Sequence, residues 1–289
     1  MHKSGFVNII GKPNVGKSTL MNALLGEKLS IITPKAQTTR HRIMGIANGD
    51  DYQIVFSDTP GVLKPNYKLQ EQMMRYVRTT LEDADLFIVM TETKDDFDDQ
   101  AILDKISRAE VPVMLLINKA DLASEDELHH LKQKWEKSFP AWTVMAVSAL
   151  KGLNLEPLFA KILEAIPESP PYFPKDEMAD RPVRFFVAEI VREKILLNYQ
   201  KEIPYAVEVM VESFKEKKDI DHIRCVIFVA RETQKGIIIG HKGSALKKVG
   251  SEARKDLEAF LGKKVFLELH VKVSKNWRED ELQLRRFGY

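Results

Sequence analysis

The segment GKPNVGKS at residues 11–18 constrains the fold of this chain more than any other feature. It fits the pattern G-x-x-x-x-G-K-[ST], follows the apolar run FVNIIG and precedes the helical pattern STLMNALLG. This context predicts a phosphate-binding loop between a strand and a helix, because glycines let backbone N–H groups and a helix N-terminus approach an anion. Lys17 is expected to reach the phosphates, and the Ser18 hydroxyl is expected to bind Mg²⁺. The residues predicted to line the loop are Gly11, Lys12, Pro13, Asn14, Val15, Gly16, Lys17, Ser18 and Thr19.

Apolar runs alternate with helical patterns throughout the first 167 residues. Continuous apolar strands between amphipathic helices predict an α/β domain with a mostly parallel sheet and helices on both faces. The stretch from 26 to 51 lacks a helical pattern, so we expect a long loop and an edge strand there. The predicted strands are FVNIIG (6–11), YQIVFSD (52–58), DLFIVMT (85–91), PVMLLIN (112–118) and WTVMAVS (142–148).

A proline-rich segment then separates two regions of different organisation. PESPPYFPKDEMADRP holds five prolines and no periodicity, which predicts a linker. The last 107 residues have the order α-β-β-α-α-β, which predicts a small α+β domain with three strands. The expected domains are therefore 1–167, a linker at 168–182, and 183–289.

Two motifs at predicted strand ends indicate which base would bind. NKAD ends the strand PVMLLIN, and ligands of open α/β sheets bind at the carboxyl ends of strands. The Asp121 carboxylate can accept two N–H bonds from guanine, Asn118 would brace the base, and the Lys119 stem would lie along its face. Adenine presents no such donor pair, so the motif favours GTP and GDP. The segment SAL (Ser148, Ala149 and Leu150) is expected to present a backbone N–H to guanine O6.

DTPG at residues 58–61 ends another strand and supplies the remaining phosphate-side groups: Asp58, Thr59, Pro60 and Gly61. Asp58 is expected to hold Mg²⁺ through water, and Gly61 to bring its N–H to the γ-phosphate. A threonine of QTTR would complete the Mg²⁺ shell, and we favour Thr39 over Thr38. The predicted metal residues are Ser18, Thr39 and Asp58, and the predicted catalytic residues are Lys17, Asn14, Thr39 and Gly61.

The residue after DTPG is Val62, where many GTPases have a glutamine that orients the attacking water. We therefore expect slow intrinsic hydrolysis, about 10⁻⁴ to 10⁻² s⁻¹ by analogy with unassisted GTPases. Asn14 has two interpretations. It is either a polar turn residue or the holder of a K⁺ ion that acts where an arginine finger otherwise would.

A second glycine-bracketed loop, GHKG at residues 240–243, matches the GxxG pattern of KH domains. GxxG alone is common, and a helix–turn–helix is the alternative. The loop opens a helix within the α-β-β-α-α-β order, which favours binding of RNA or single-stranded nucleic acid. The predicted contacts are Gly240, His241, Lys242, Gly243, Lys247 and Lys248.

The charge distribution points to the same half of the chain. Residues 181–289 carry 23 Lys and Arg against 16 Asp and Glu, a net charge of +7, and the rest of the chain carries −5. A basic domain suits a polyanionic partner. The single cysteine, Cys225, and the lack of a signal-peptide pattern or a membrane-length apolar run predict a cytoplasmic protein.

Several segments together resemble the Era family of bacterial ribosome-assembly GTPases over essentially the full length. The resemblance implies a TRAFAC-class GTPase domain joined to a type II KH domain. It also implies binding to the 3′ region of 16S ribosomal RNA and to the pre-30S particle, with a role in assembly and maturation of the small (30S) subunit. An apolar residue after DTPG is usual in the family, whereas SAL departs slightly from the commoner SAK or SAE. The segments are GKPNVGKSTLMNALLG, QTTRHRI, DTPG, NKAD, EIVREKI, IGHKGSALKKVG, EARKDLE and WREDELQLRRFGY.

Two other functions compete with this interpretation. One is a related GTPase that acts on another RNA or particle, as in tRNA modification. The other is an RNA-binding protein whose nucleotide is structural. We expect a monomer, and weak peripheral membrane association stays open although no helix has the pattern of a basic amphipathic anchor.

Overall fold

Two β-sheets organise the chain in the computed structural model, which describes residues 1–94 and 97–289. Residues 1–64 and 73–180 form one compact unit, and residues 65–72 together with 181–289 form the other. Among the described residues, no helix is long and apolar enough to cross a membrane.

The first unit contains a six-stranded sheet in the order β2-β3-β1-β4-β5-β6. Only β2 runs antiparallel to its neighbour, so the predicted α/β architecture with an edge strand between 26 and 51 is confirmed. The strands are β1 (Lys3–Gly11), β2 (Ile43–Asn48), β3 (Tyr52–Asp58), β4 (Leu86–Glu92), β5 (Val113–Asn118) and β6 (Thr143–Ala146). The helices are α1 (Lys17–Leu25), α3 (Gln100–Ser107), α4 (Glu125–Ser138) and α5 (Leu155–Ala165), together with α2 (Lys68–Thr80) from residue 73 onward.

The strands β1, β3, β4 and β5 end at one edge of this sheet and deliver the motif loops there. Their apolar side chains are almost fully buried, as continuous Val, Ile and Leu runs in a covered parallel sheet should be. The carboxyl ends of these strands are Gly11, Asp58, Glu92 and Asn118. The sheet therefore brings together residues that are far apart in the sequence.

The proline-rich segment 168–180, here called the strap, is hydrogen-bonded along the edge of this unit. Its backbone pairs with β2, where the Ile46 N–H donates to Met178 O at 2.9 Å. The fully buried Gln53 amide accepts from the Tyr172 and Phe173 N–H groups at 2.7 and 2.9 Å, and donates to Phe173 O at 2.9 Å. The Gln53 side chain thus pairs with three backbone groups of the strap, which buried or edge backbone requires.

The second unit contains a three-stranded sheet in the order β7-β8-β9, with β8 antiparallel to β7 and parallel to β9. The predicted order α-β-β-α-α-β is confirmed, and the structure adds a short helix before β7 and another at the C-terminus. The strands are β7 (Val207–Lys215), β8 (Ile220–Val229) and β9 (Lys264–Val273). The helices are α6 (Val183–Asn198), α7 (Ile203–Ala206), α8 (Glu232–Ile239), α9 (Ser244–Leu261) and α10 (Glu281–Arg286).

Helices α6, α8 and α9 cover one face of this sheet, which we call the inner face. Alternate residues of β8, such as Ile223, Cys225 and Ile227, pack there against Val249 and Leu257 of α9. Cys225 is fully buried, and burial raises the pKa of its thiol to about 12. The intervening residues of β8 therefore point to the opposite, outer face.

Candidate functional site

The GKPNVGKS loop wraps from the end of β1 to the first turn of α1. Gly16 has φ +103°, and a Cβ there would lie 2.2 Å from the Asn118 amide nitrogen, so only glycine fits. A Cβ on Gly61 would lie 2.4 Å from Pro13 N, which means that the DTPG loop rests directly on the phosphate loop. The Val62 N–H also donates to Gly11 O at 3.1 Å. The two predicted phosphate-side loops are therefore in contact.

Lys17 is buried inside its own loop, where its ammonium donates to Gly11 O at 2.9 Å and to Lys12 O at 2.8 Å. Burial lowers the Lys17 pKa to about 8, and the nearby Asp58 carboxylate acts in the opposite direction. The Lys12 ammonium forms an ion pair with Asp98 at 2.9 Å. A phosphate at the loop would give the Lys17 ammonium the strong acceptor that backbone carbonyls only partly supply.

Three oxygen-bearing side chains predicted to hold Mg²⁺ lie together beside Lys17. The Ser18 hydroxyl donates to Asp58 Oδ2 at 2.7 Å and lies 2.9 Å from Thr39 Oγ1. Thr39 Oγ1 is 3.3 Å from Asp58 Oδ2. Asp58 Oδ1 is buried and accepts no hydrogen bond from the described residues, so it has room for one more partner. A hard cation with oxygen ligands fits this set.

Burial at this site affects the pKa of the Asp58 carboxyl. Burial raises its pKa above the usual range, and the Ser18 hydroxyl and the Lys17 ammonium act in the opposite direction. A bound cation would favour the carboxylate further, since an adjacent positive charge stabilises the ionised form. The buried Asp58 carboxylate is therefore a group that a bound cation would stabilise.

The hydroxyl of the neighbouring Thr38 forms hydrogen bonds within its own loop. Thr38 Oγ1 donates to Lys35 O at 2.6 Å and lies 2.7 Å from Thr33 Oγ1, within the loop that precedes β2. This geometry favours Thr39 as the metal-side hydroxyl. Thr59 of DTPG is also used structurally, because its hydroxyl donates to Ile9 O at 2.7 Å.

Asn118 connects the phosphate loop to the predicted base-binding loops. Its amide donates to Val15 O at 2.7 Å and accepts from the Ala149 N–H at 3.0 Å. Asp121 lies exposed in the short helical turn that follows. The three loops line one cavity of about 640 Å³, within the range of roughly 300–1,000 Å³ that suits a small-molecule ligand. Its wall contains predicted residues from all three loops: Pro13, Asn14, Gly16, Lys17, Ser18, Thr19, Asn118, Lys119, Asp121, Ser148 and Leu150.

Two residues that the sequence analysis did not single out support these loops. Glu92, the last residue of β4, pairs with the Lys119 ammonium, and it lies at the same sheet edge as the motifs. Arg42 donates to Asp83 Oδ2 at 2.6 Å and to Ser57 Oγ at 2.6 Å, which anchors the loop containing Thr39 beside β3. The position of Glu92 at a strand end was a usable sequence signal, whereas the Arg42 contacts depend on tertiary packing.

The prediction of slow hydrolysis depends on Asn14 and Val62. Asn14 has φ +64°, and its amide nitrogen donates to Pro34 O at 3.2 Å, which links the phosphate loop to the loop preceding β2. Val62 is buried and carries no group that could orient water. The role of Asn14 in holding K⁺ stays a prediction.

The GHKG loop forms a tight turn between α8 and α9 in the second unit. Gly240 and Gly243 have φ values of +71° and +78°, and Lys242 also has a positive φ of +49°. A Cβ on Gly240 would lie 2.6 Å from Ala245 Cβ, so the turn requires glycine. His241 and Lys242 are exposed at the tip, and Lys247 and Lys248 are exposed on the following helix. The turn and the start of the next helix therefore present several exposed basic side chains.

Comparison with known proteins agrees with both sites. Residues 6–119 match the family described as 50S ribosome-binding GTPase, and residues 202–278 match the KH domain family. GTPase Era of Caldanaerobacter subterraneus subsp. tengcongensis is 46% identical over 292 residues, which cover 100% of this chain and 98% of that protein.

Two solved structures are similar over nearly the whole chain. Era in complex with MgGDPNP and nucleotides 1506-1542 of 16S ribosomal RNA is 40% identical, with a TM-score of 0.95, and covers 100% of this chain and 99% of its own. An Aquifex aeolicus Era variant bound to GDP.AlF4- is 41% identical, with a TM-score of 0.95 and 99% of each chain covered.

The fold and the two loops thus define a P-loop GTPase domain followed by a KH domain. At this identity and coverage, the chain belongs to the Era family of GTPases.

Proposed function

We propose that this protein is a GTP-hydrolysing switch that binds the 3′ region of 16S ribosomal RNA through its KH domain and assists assembly and maturation of the 30S subunit. The observation that carries the proposal is that one chain holds a guanine-type nucleotide site and a GxxG turn. Relatives aligned over nearly its full length have been solved with MgGDPNP and 16S RNA, and with GDP.AlF4-.

In this proposal the nucleotide is held at its two ends. Asp121 would accept from guanine N1–H and N2–H, Asn118 would brace the base, and a backbone N–H of the SAL segment would donate to O6. The Lys17 ammonium donates to the phosphates in place of the Gly11 and Lys12 carbonyl oxygens. Backbone N–H groups at the start of α1 provide the rest of the positive field.

Ser18, Thr39 and Asp58 would hold Mg²⁺, which neutralises charge on the phosphate oxygens during hydrolysis. Gly61 contributes its backbone N–H beside the γ-phosphate, and Thr39 lies in the loop that this phosphate would order. Since both loops depend on the γ-phosphate, their order distinguishes the GTP from the GDP state. Buried Val62 cannot position water, so the intrinsic rate is slow, about 10⁻⁴ to 10⁻² s⁻¹.

Multiple-turnover GTP hydrolysis, measured with and without the RNA segment equivalent to nucleotides 1506–1542, tests the proposal. We expect slow turnover, abolished by Lys17→Ala, and direct binding of the RNA by the folded protein. A nucleotide that binds without turning over would indicate a structural role, and failure to bind this RNA would indicate a different RNA or particle.

The proposal also includes a monomeric cytoplasmic protein with at most weak peripheral membrane association, and K⁺ as a further cofactor. The buried thiol of Cys225 suits a reducing compartment. Sedimentation velocity at micromolar concentration and flotation with anionic vesicles test the oligomeric state and the membrane association.

A further inference from the structure

The outer face of the KH sheet carries a cavity that the GxxG turn does not use. Strand register aligns Glu208, Phe228 and Lys272 in one row across this face, and Met210 and Val226 in the next. Helix α10 stands over part of these rows and borders an open cavity of about 320 Å³. Its lining includes Met210, Val226, Phe228, Lys272, Gln283 and Arg286.

The wall formed by α10 is held firmly in position. Trp277 is fully buried, and its indole N–H donates to Ala206 O at 3.0 Å. The Phe287 ring packs 5.1 Å from Phe228 and 5.4 Å from Trp277. The Tyr289 hydroxyl donates to Glu208 Oε2 at 2.7 Å. The cavity is therefore largely preformed, which lowers the entropy loss that accompanies binding.

The chemistry of the lining is divided between an apolar floor and a basic, polar rim. Met210, Val226 and Phe228 form the floor, and the Arg286 guanidinium lies 5.9 Å from the Phe228 ring centroid. The carboxylate in the lining, Glu212, forms an ion pair with Lys272 at 3.0 Å, so it presents little uncompensated negative charge. Gln283 adds an amide that can donate and accept.

We propose that this cavity holds one unstacked RNA base, with its 5′ or 3′ phosphate at Arg286. A base has a flat apolar face, which suits the floor, and a polar edge, which suits the Gln283 amide. The phosphate next to that base would be attracted to a rim that belongs to residues 181–289, whose net charge is +7. An acidic peptide would satisfy the rim but would leave the apolar floor and the amide without matching groups.

This inference rests on the proposed RNA-binding function and extends it to a second surface. Helices α8 and α9, which flank the GxxG turn, pack on the inner face of the sheet, whereas the cavity lies on the outer face. A single RNA segment that contacts both surfaces would be held by two sites. Loss of one site would then weaken binding without abolishing it.

The first test compares two neighbouring arginines of α10. Both Arg285 and Arg286 are exposed, but only Arg286 lines the cavity. In the full-length protein, Arg286→Ala should weaken binding of the RNA equivalent to nucleotides 1506–1542 by about tenfold, the effect of losing one charge-assisted contact to a phosphate. Arg285→Ala should weaken it by no more than about twofold, the effect of one exposed charge. Equal effects of the two variants would overturn the inference.

The second test locates the RNA directly and does not depend on affinity. Since Cys225 is buried, a Gln283→Cys substitution introduces a single accessible thiol at the rim, and Arg285→Cys introduces one on the same helix outside the cavity. Each is labelled with an azidophenacyl group and irradiated with the same RNA. We expect an RNA adduct at position 283, mapped to one nucleotide, and much less at position 285.

The possible failures can be told apart. If wild-type protein does not bind this RNA, both the proposed function and this inference are wrong. If it binds, but Arg286→Ala matches Arg285→Ala or position 283 gives no RNA adduct, only this inference is wrong. Competition of an acidic peptide for the adduct at a concentration that leaves bulk RNA binding intact would also overturn it, since the cavity would then prefer a peptide.

Discussion

At the scale of single residues, Thr38 and Thr39 differ in their contacts, although the sequence supported only a preference for Thr39. Thr38 and Thr39 are adjacent, both buried, and chemically equivalent in a motif. The structure separates them, because Thr39 joins Ser18 and Asp58 while Thr38 bonds within its own loop. Motif spacing fixes which loop reaches the site, whereas the hydroxyl that points into it depends on the loop conformation.

The threonine pair gives a matched prediction. Thr39→Ala should slow Mg²⁺-dependent GTP hydrolysis about ten- to hundredfold, the equivalent of losing a polar contact to a charged group worth about 1.5–3 kcal/mol. Thr38→Ala should change the rate by less than about threefold. Single-turnover hydrolysis across a Mg²⁺ titration measures both, and a larger effect for Thr38→Ala would reverse the assignment.

The predicted base selection depends on the Asp121 carboxylate. Asp121→Asn should shift preference from GTP to XTP, because the carbonyl of xanthine that replaces the N2 amine would accept from the new amide. Loss of a charge-assisted pair should weaken GTP binding by about ten- to hundredfold. Competition between labelled GDP and XDP measures the shift. A variant that keeps full GTP affinity and gains none for XTP would show that Asp121 does not read the base.

Asn14 is the residue on which the K⁺ hypothesis depends. Its amide nitrogen is committed to Pro34 O, which leaves its carbonyl oxygen to accept a cation. We predict that hydrolysis is faster in K⁺ than in Na⁺ at equal ionic strength, and that Asn14→Ala removes the difference. Identical rates in the two salts, for wild type and variant alike, would show that Asn14 is only a turn residue.

At the scale of elements, the strands were predictable because buried parallel strands appear as continuous apolar runs in the sequence. For example, β3 has the same bounds as the predicted strand at residues 52–58. The strap and α10 were less predictable for physical reasons. The strap is held by Gln53, more than a hundred residues away. The residues that flank α10 are held by distant partners too, since Phe287 packs on Phe228 and the Trp277 indole bonds to Ala206 O. Local periodicity cannot reveal an element whose contacts are distant.

The strap provides a prediction on stability. Gln53→Ala would leave the Tyr172 and Phe173 backbone groups unpaired, which should lower the free energy of unfolding by about 1–3 kcal/mol and speed hydrogen exchange of those two amides. Gln100→Ala is the control, since that amide is exposed and bonds only to Asp104 among the described residues. If exchange at residues 172 and 173 does not change, the strap is held by its other contacts.

At the scale of the whole molecule, two glycine-bracketed loops occur in separately packed units. The unit with the GTP motifs is acidic overall, and the unit with the GxxG turn is basic, so charge alone indicated where a polyanion would bind. The charge distribution could not reveal the cavity under α10, because that cavity depends on which side chains of neighbouring strands share the outer face of the sheet. A substitution in the GxxG turn should therefore affect one activity and leave the other intact.

The GxxG turn can be tested by reversing its charge. His241→Asp combined with Lys242→Asp replaces two exposed side chains at the turn by carboxylates, which would face the RNA phosphates proposed to bind there. The fold should survive, because both side chains are exposed and Asp tolerates the positive φ of residue 242. RNA affinity should fall by at least about tenfold, since like charges in a partly desolvated groove repel strongly.

Salt dependence separates this effect from a general loss of positive charge. The logarithm of affinity for single-stranded RNA falls with the logarithm of salt concentration by roughly 0.7 per phosphate neutralised, so the double variant should have a shallower slope. Lys218→Asp, an exposed lysine in the β7–β8 loop, is the charge control for Lys242→Asp and should retain most of the affinity. GTP affinity should be unchanged in every variant, because the nucleotide loops belong to the other unit. If the folded double variant binds RNA as wild type does, the turn is only structural, and the basic unit must bind RNA through another surface, of which the cavity under α10 is the first to examine.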